Sequence, residues 1–265
     1  MTTALPPILL LGFGKMGSAM AAGWIARGLA PSFAIDPALP PSPGPELTVI
    51  ASVADLPADF TPAAIVLAVK PQMAAAALPH VARFNDAVML SIMAGKTIAG
   101  LRAALNDAAV VRAMPNTPAA IGQGFTVACA GDGVTHAQRD LCHALLQSVS
   151  EVDWVDSEGL IDAVTAVSGG GPAYVFLLAE LLEQAAVEQG IPSALARRMA
   201  RVTVSGSGAL LAASTEDAAQ LRRNVTSPSG TTERALAVLM EPSAWPDAVS
   251  RAIAAATARS RELAG

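Results

Sequence analysis

The chain has 265 residues, a formal net charge of −5, 52% hydrophobic residues and 15% charged ones. That length allows one large domain or two smaller ones with ample core, and so apolar a composition suggests a large buried interface as well. With no block of basic residues, neither nucleic acid nor an anionic membrane is an expected partner.

Ile8 to Leu11 reads as a buried strand, and Met16 to Leu29 as a helix closed by Gly28. No signal peptide is expected, because Met1 to Pro7 lacks a basic region and Ile8 to Leu11 is too short for an apolar one. Phe33 to Ile35 is a second strand, and the proline-dense Pro37 to Pro45 must be loop. Ala64 to Val69, Ala87 to Ile92, Val110 to Ala113 and Phe125 to Ala128 read as further strands, with helices at Gln72 to Arg83 and Thr97 to Leu105. Ala113 to Gly131 is uncharged but holds Pro115, Asn116, Pro118 and Gln123, so no membrane span is read there or elsewhere. Thr135 with Gln138 fits a capping box opening a helix to about Val149. This βαβ rhythm implies a mostly parallel sheet covered on both faces.

After Trp154 the strand-like runs stop. Helical patterns follow at Leu160 to Val167, Pro172 to Gln189, Ser193 to Ala213, Ala218 to Arg223, Thr231 to Met240 and Ala244 to Leu263. The boundary is placed near Asp156, dividing 1–156 from 157–265. Little charge marks Ala173 to Leu182 and Val202 to Ala213, so both are read as buried, partly by a second subunit. Cys129 and Cys142 form no paired motif and are read as reduced, buried thiols of a cytoplasmic protein. His80, His136 and His143 show no metal spacing, and no metal is expected.

Gly12-Phe13-Gly14-Lys15-Met16-Gly17 follows a strand and opens a helix, the setting that a dinucleotide fingerprint requires. Gly12 permits the tight turn, Gly14 lets a pyrophosphate approach, and Gly17 lets helix and strand pack closely. Asp36 stands 24 positions after Gly12, where an acid bonds the ribose 2′-hydroxyl and repels a 2′-phosphate; a loop-capping aspartate is the other reading. Ala68-Val69-Lys70-Pro71 and Ser91 to Gly95 end two strands, where open α/β sheets hold ligands. Arg112 to Pro118 places two prolines and Asn116 beyond a third strand end, to shape a pocket floor or simply to turn.

Ser168-Gly169-Gly170-Gly171-Pro172-Ala173-Tyr174 approaches a long apolar helix, either for backbone contact with a ligand or as a tight helix corner. Tyr174, the only tyrosine, is a conceivable general acid, but its place in an apolar helix reads as core packing. Val225 to Thr232 is a turn that stops at a helix start. Amides there lack intrahelical partners and face the positive helix end, and Thr231 and Thr232 add hydroxyls, so the spot suits a small carboxylate. Two such helix starts suggest two ligands, a nucleotide and a small acid.

Taken together, these residues resemble the pyrroline-5-carboxylate reductases nearly end to end. The resemblance rests on Gly12 to Gly17, Ala68 to Pro71, Met114 to Pro118, Asp162 to Gly169 with Gly171 to Tyr174, and Val225 to Thr232. It implies an α/β N-terminal Rossmann-type domain with a mostly parallel sheet, followed by an all-α C-terminal dimerisation domain, in dimers or dimer-based decamers. It implies reduction of 1-pyrroline-5-carboxylate to L-proline with NADPH or NADH. Cofactor contacts would fall on Leu11, Gly12, Phe13, Gly14, Lys15, Met16 and Gly17, on Asp36, on Ala68, Val69, Lys70 and Pro71, and on Met93 and Ala94. The imino-acid substrate would meet Asn116, Ser168, Gly169, Val225, Ser227, Gly230, Thr231 and Thr232. Thr232 matches the threonine proposed to assist proton delivery.

Two positions depart from the family pattern: Gly170 replaces a serine and Ser229 a glycine. Asp36 replaces the small polar residue of NADPH-using relatives and favours NADH. The rival readings are a reductase of another imine or small acid, and a non-catalytic nucleotide-binding paralogue. A β-hydroxy acid dehydrogenase would normally need a lysine in the helical half, yet the last lysine is Lys96.

Overall fold

The computed structural model describes residues 4–264. Met1 to Thr3, in the segment read as leaderless, and Gly265, the end of the expected second domain, lie outside the described residues. Contacts divide the chain into two units: one runs to Gly170 and takes the chain back from Ala256, and the other is Gly171–Ala255.

The first unit is built on β1 (Ile8–Leu11), β2 (Ser32–Ile35), β3 (Leu47–Ile50), β4 (Ala64–Leu67), β5 (Val88–Ser91), β6 (Val110–Met114), β7 (Gly124–Ala130) and β8 (Ser150–Trp154). They form one sheet in the order β3-β2-β1-β4-β5-β6-β7-β8. All neighbouring pairs are parallel except β6 with β7. Only residues 115–123 join β6 to β7, too few for a crossover, so the chain must return antiparallel.

β1 and β4, at the middle of the sheet, are apolar and buried at every position because both faces are covered. Successive side chains alternate faces. Ile8 and Leu10 meet α1 (Lys15–Ala26) and α4 (His136–Leu146), through Met20, Trp24, Leu145 and Leu146. Leu9 and Leu11 join the opposite cluster, with Leu78 and Val81 of α2 (Ala74–Val81) and Leu101 of α3 (Ile98–Ala104). Trp24 is fully buried, and its indole N–H donates to the Leu145 carbonyl at 2.8 Å, satisfying the one polar atom of a large apolar side chain. Thr135 and Gln138 form the expected capping box at the start of α4.

Two strands were not foreseen. β3 and β8 are the sheet's edges, each buried only at its first residue and exposed or partly exposed beyond it, and each exists through pairing with one neighbour. The helix expected from Gln72 opens as a tight turn at Pro71–Met73 before α2 begins. The helix expected from Leu160 to Val167 is α5 (Leu160–Val164) followed by a wider π-type turn over Thr165–Gly169. The unit boundary also falls later than Asp156. Ile161 of α5 is buried in the sheet's apolar cluster, which keeps residues 157–170 with the first unit.

The second unit is helical. The long pair α6 (Gly171–Glu188) and α7 (Ser193–Ala213) pack together across a short turn, and Arg197 meets Glu183 at 3.0 Å. α8 (Ala218–Asn224), α9 (Thr231–Leu239) and α10 (Trp245–Ala264) follow. From Ala256 onward α10 belongs to the first unit. The apolar face of α6 is not buried within one chain. Phe176 is 67% exposed, and Tyr174, read above as core packing, is also exposed. By length and composition, the helical stretch Leu160–Glu188 is apolar enough to cross a membrane, which the reading of uncharged runs alone did not register.

Candidate functional site

The carboxyl ends of β2, β1, β4 and β5 lie on one edge, because these strands are parallel neighbours. Strand order reverses direction around β1, and open sheets of this kind hold ligands at such a switch point. Leu11 to Gly17, Asp36, Ala68 to Pro71, Met93 and Ala94 all follow or end these strands.

Gly12 has φ +98, a conformation that L side chains rarely adopt. A Cβ there would lie 2.8 Å from the Val69 nitrogen and 2.9 Å from the Ala68 carbonyl. Gly12 therefore brings the β1 and β4 ends into backbone contact. A Cβ on Gly17 would stand 2.5 Å from the Gly12 oxygen, so α1 can start only this close to the loop because Gly17 has no side chain. Leu11 and Phe13 turn their side chains into the core. Gly14 and Lys15 are exposed at the opening of α1.

The start of α1 fits a dinucleotide's pyrophosphate. The helix has no side-chain cap and no acid in its first turn, and a Cβ built on Gly14 meets nothing within 4 Å. Open space thus faces amides that want an anion.

Asp36 plays the capping part raised above. Its Oδ2 accepts from the Phe13 N–H at 3.1 Å and its Oδ1 from the Ala38 N–H at 3.0 Å. A carboxylate has about four acceptor sites, so capping leaves room for a ribose hydroxyl. Lys70 is exposed and precedes the Pro71 turn. Met93 is buried and its N–H donates to Ser91 Oγ at 3.3 Å.

A second group forms beyond β6. Asn116 Nδ2 donates to Ser168 Oγ at 3.2 Å, and Asn116 Oδ1 accepts from the Phe125 N–H at 2.9 Å. A Cβ on Gly169 would stand 2.7 Å from the Met114 methyl. The structure therefore gathers Asn116, Ser168 and Gly169 around the π-type turn, a rare form often found at functional sites.

The same unit holds an ionic network around a buried arginine that sequence reading missed. Arg112, 2% exposed, donates from Nη1 to Glu158 Oε1 at 2.8 Å, and its Nη2 stands 3.5 Å from Asp162 Oδ1. Glu158 Oε1 also accepts from the Ile98 N–H, and Asp162 Oδ1 from Ser260 Oγ at 2.7 Å. The signal available was an arginine inside the apolar strand Val110–Met114; its partners are distant in sequence. Neither thiol is set up as a nucleophile. Burial pushes Cys142 up to about 12, and burial, with the Glu158 charge next, raises Cys129.

The second unit holds Val225, Ser227, Gly230, Thr231 and Thr232. Thr231 and Thr232 open α9 and are exposed; Gly230 caps the helix without a side-chain bond. The Gly230 N–H donates to the Ser227 carbonyl at 3.0 Å, closing a turn in which Ser229 has φ +59. The position where serine replaces glycine is thus a left-handed one.

The family pattern described as "Pyrroline-5-carboxylate reductase dimerisation" matches residues 158–263. The chain is 41% identical over 200 residues to a pyrroline-5-carboxylate reductase of Synechocystis sp., covering 75% of this chain and 74% of that protein. It is 37% identical over 272 residues to one of Pseudomonas aeruginosa, covering 98% and 97%. A Plasmodium falciparum pyrroline carboxylate reductase solved with NADP bound superimposes with a TM-score of 0.83 at 28% identity, covering 100% of each chain.

Proposed function

The chain belongs to the pyrroline-5-carboxylate reductase family, and we propose, from that premise, how its own residues serve the reaction. It is an NAD(P)H-dependent oxidoreductase that reduces 1-pyrroline-5-carboxylate to L-proline, the last step of proline biosynthesis. It self-associates through its helical part.

The start of α9 carries the substrate reading: an uncapped helix opening with two exposed threonines. The substrate's carboxylate sits on the amides at Gly230 to Thr232 and on the hydroxyls of Thr231 and Thr232, flanked by Val225 and Ser227. Asn116, Ser168 and Gly169 are the substrate residues proposed on the first unit, a reading that their clustering at the π-type turn supports. When bound, the reduced nicotinamide supplies the hydride for the C=N carbon. A protonated imine accepts hydride more readily, so the protein's main task is orientation. Thr232 is the residue assigned to help deliver the proton.

Thr232→Ala is expected to lower kcat/KM for pyrroline-5-carboxylate about tenfold, the scale of one hydrogen bond to a charged group. The KM for NADH stays near that of the parent. Unchanged proline formation would remove α9 from the site.

The cofactor lies on Leu11 to Gly17, Ala68 to Pro71 and Met93 to Ala94, and Asp36 makes NADH the preferred form. The free acceptor positions of Asp36 support this, since a carboxylate there would repel a 2′-phosphate. Asp36→Ser is expected to raise kcat/KM with NADPH relative to NADH at least about tenfold. Steady-state assays with the two cofactors decide it, and an unmoved ratio would take Asp36 out of the site.

Residues 1–156 act as the dinucleotide-binding part and 157–265, close to the matched 158–263, as the dimerisation and substrate-binding part, although 157–170 pack with the first compact unit. The exposed apolar face of α6, which lies in the stretch matched by the dimerisation pattern, supports burial against a second copy. We assign a dimer or dimer-based decamer in the cytoplasm, with no nucleic-acid partner. Free, buried Cys129 and Cys142 suit a reducing compartment.

A further inference from the structure

We propose that Glu233 is a positioning residue: its carboxylate holds Ser229 in the left-handed conformation and so sets the turn that presents Gly230, Thr231 and Thr232. The proposal rests on the reading of that turn as the substrate's carboxylate anchor.

The turn runs Ser227-Pro228-Ser229-Gly230 and is closed by the Gly230 N–H on the Ser227 carbonyl at 3.0 Å. Proline takes the second position of such turns readily. The third needs a positive φ and favours glycine, because the Cβ of an L residue crowds its own peptide there. Ser229 occupies that third position at φ +59. Among the described residues of the second unit it is the only non-glycine with positive φ. Something must hold it there.

The Ser229 N–H donates to Glu233 Oε2 at 2.8 Å. The acceptor is charged, so the bond is of the stronger kind. Glu233 is itself fixed by the first turn of α9, where its charge also suits the positive helix end. The result is a four-residue bracket from the helix back to the strained residue. Without it, Ser229 relaxes toward negative φ. That rotates the peptide joining residues 229 and 230 and displaces the amides that follow. Glycine at 229 needs no bracket, so the effect of Glu233 must depend on which residue stands at 229.

A competing effect has the opposite sign. A carboxylate beside a carboxylate anchor repels the substrate, and if that dominated, removing Glu233 would tighten binding.

The experiment measures KM for pyrroline-5-carboxylate and for NADH in the purified full chain, in the parent, Glu233→Ala, Glu233→Gln, Ser229→Gly and the double variant Ser229→Gly with Glu233→Ala. Glu233→Ala is expected to raise the substrate KM about fivefold, with the NADH KM unmoved. Glu233→Gln keeps an acceptor and falls between the two. In the Ser229→Gly background, adding Glu233→Ala changes the substrate KM less than about twofold. An equal loss in both backgrounds, or a fall in KM on removing Glu233, overturns the proposal. Hydrogen exchange of the residue 229 amide reads the bracket without substrate: Glu233→Ala should speed it about fivefold or more. Unchanged exchange overturns the proposal whatever Thr232→Ala does, whereas faster exchange with an inert Thr232→Ala would unseat only the anchor reading.

Discussion

Gly12→Ala is expected to cost both stability and cofactor binding. The new methyl would lie 2.8 Å from the Val69 nitrogen and 2.9 Å from the Ala68 carbonyl carbon and oxygen. Those atoms are backbone at the end of a fully buried strand and cannot swing aside. The residue must also keep φ +98 with a side chain attached. Conformational strain and overpacking together come to roughly 3 kcal/mol. Gly14→Ala, two positions along, should behave differently. Its φ of −74 is ordinary and its Cβ would meet nothing within 4 Å, so thermal unfolding should match the parent. NADH affinity should still fall at least about tenfold, because the methyl enters the space where the pyrophosphate approaches α1. Fluorescence titration with NADH, run beside thermal melts of both variants, separates the two effects. Parental NADH affinity in Gly14→Ala would mean that the space ahead of α1 is not the cofactor's.

Arg112→Ala is expected to be the more damaging change to the fold. The arginine side chain is 3% exposed and stands between Glu158 and Asp162. Removing it leaves two carboxylates buried or half-buried without their cation, a loss on the order of 3–5 kcal/mol. A lower denaturant midpoint, followed on the first unit's tryptophans, reports it. Arg112→Lys keeps the charge but replaces a rigid fork by a single ammonium, so it should recover only part of the loss. A midpoint shift equivalent to less than about 1 kcal/mol for Arg112→Ala would show that the carboxylates are satisfied without the arginine.

Much of the candidate site was legible because it is local. The fingerprint from Gly12 to Gly17 needs a strand, a sharp turn and a helix within a short span, and the residue types there allow little else. The start of α9 was legible for the same reason, as two hydroxyl residues at a helix opening. For Asp36 the local capping of Ala38 was legible, whereas its bond to the Phe13 amide, 23 residues back, was not. Glu233 carried no signal of its own. A glutamate in the first turn of a helix is ordinary until the amide it accepts proves to belong to a left-handed serine.

By itself, the sequence determined the alternation of two-faced apolar strands with helices, the glycine loop on the first strand and the helical second half. Each follows from side-chain size, polarity and backbone sterics over a few neighbouring residues. Only the tertiary structure decided the edge strands β3 and β8 and the partners of Arg112, with Glu158 46 residues away and Ser260 98 residues from Asp162. Edge strands gain their hydrogen bonds from a neighbour brought up by the fold, and a buried cation takes whichever acids the packing delivers. No local pattern encodes either one.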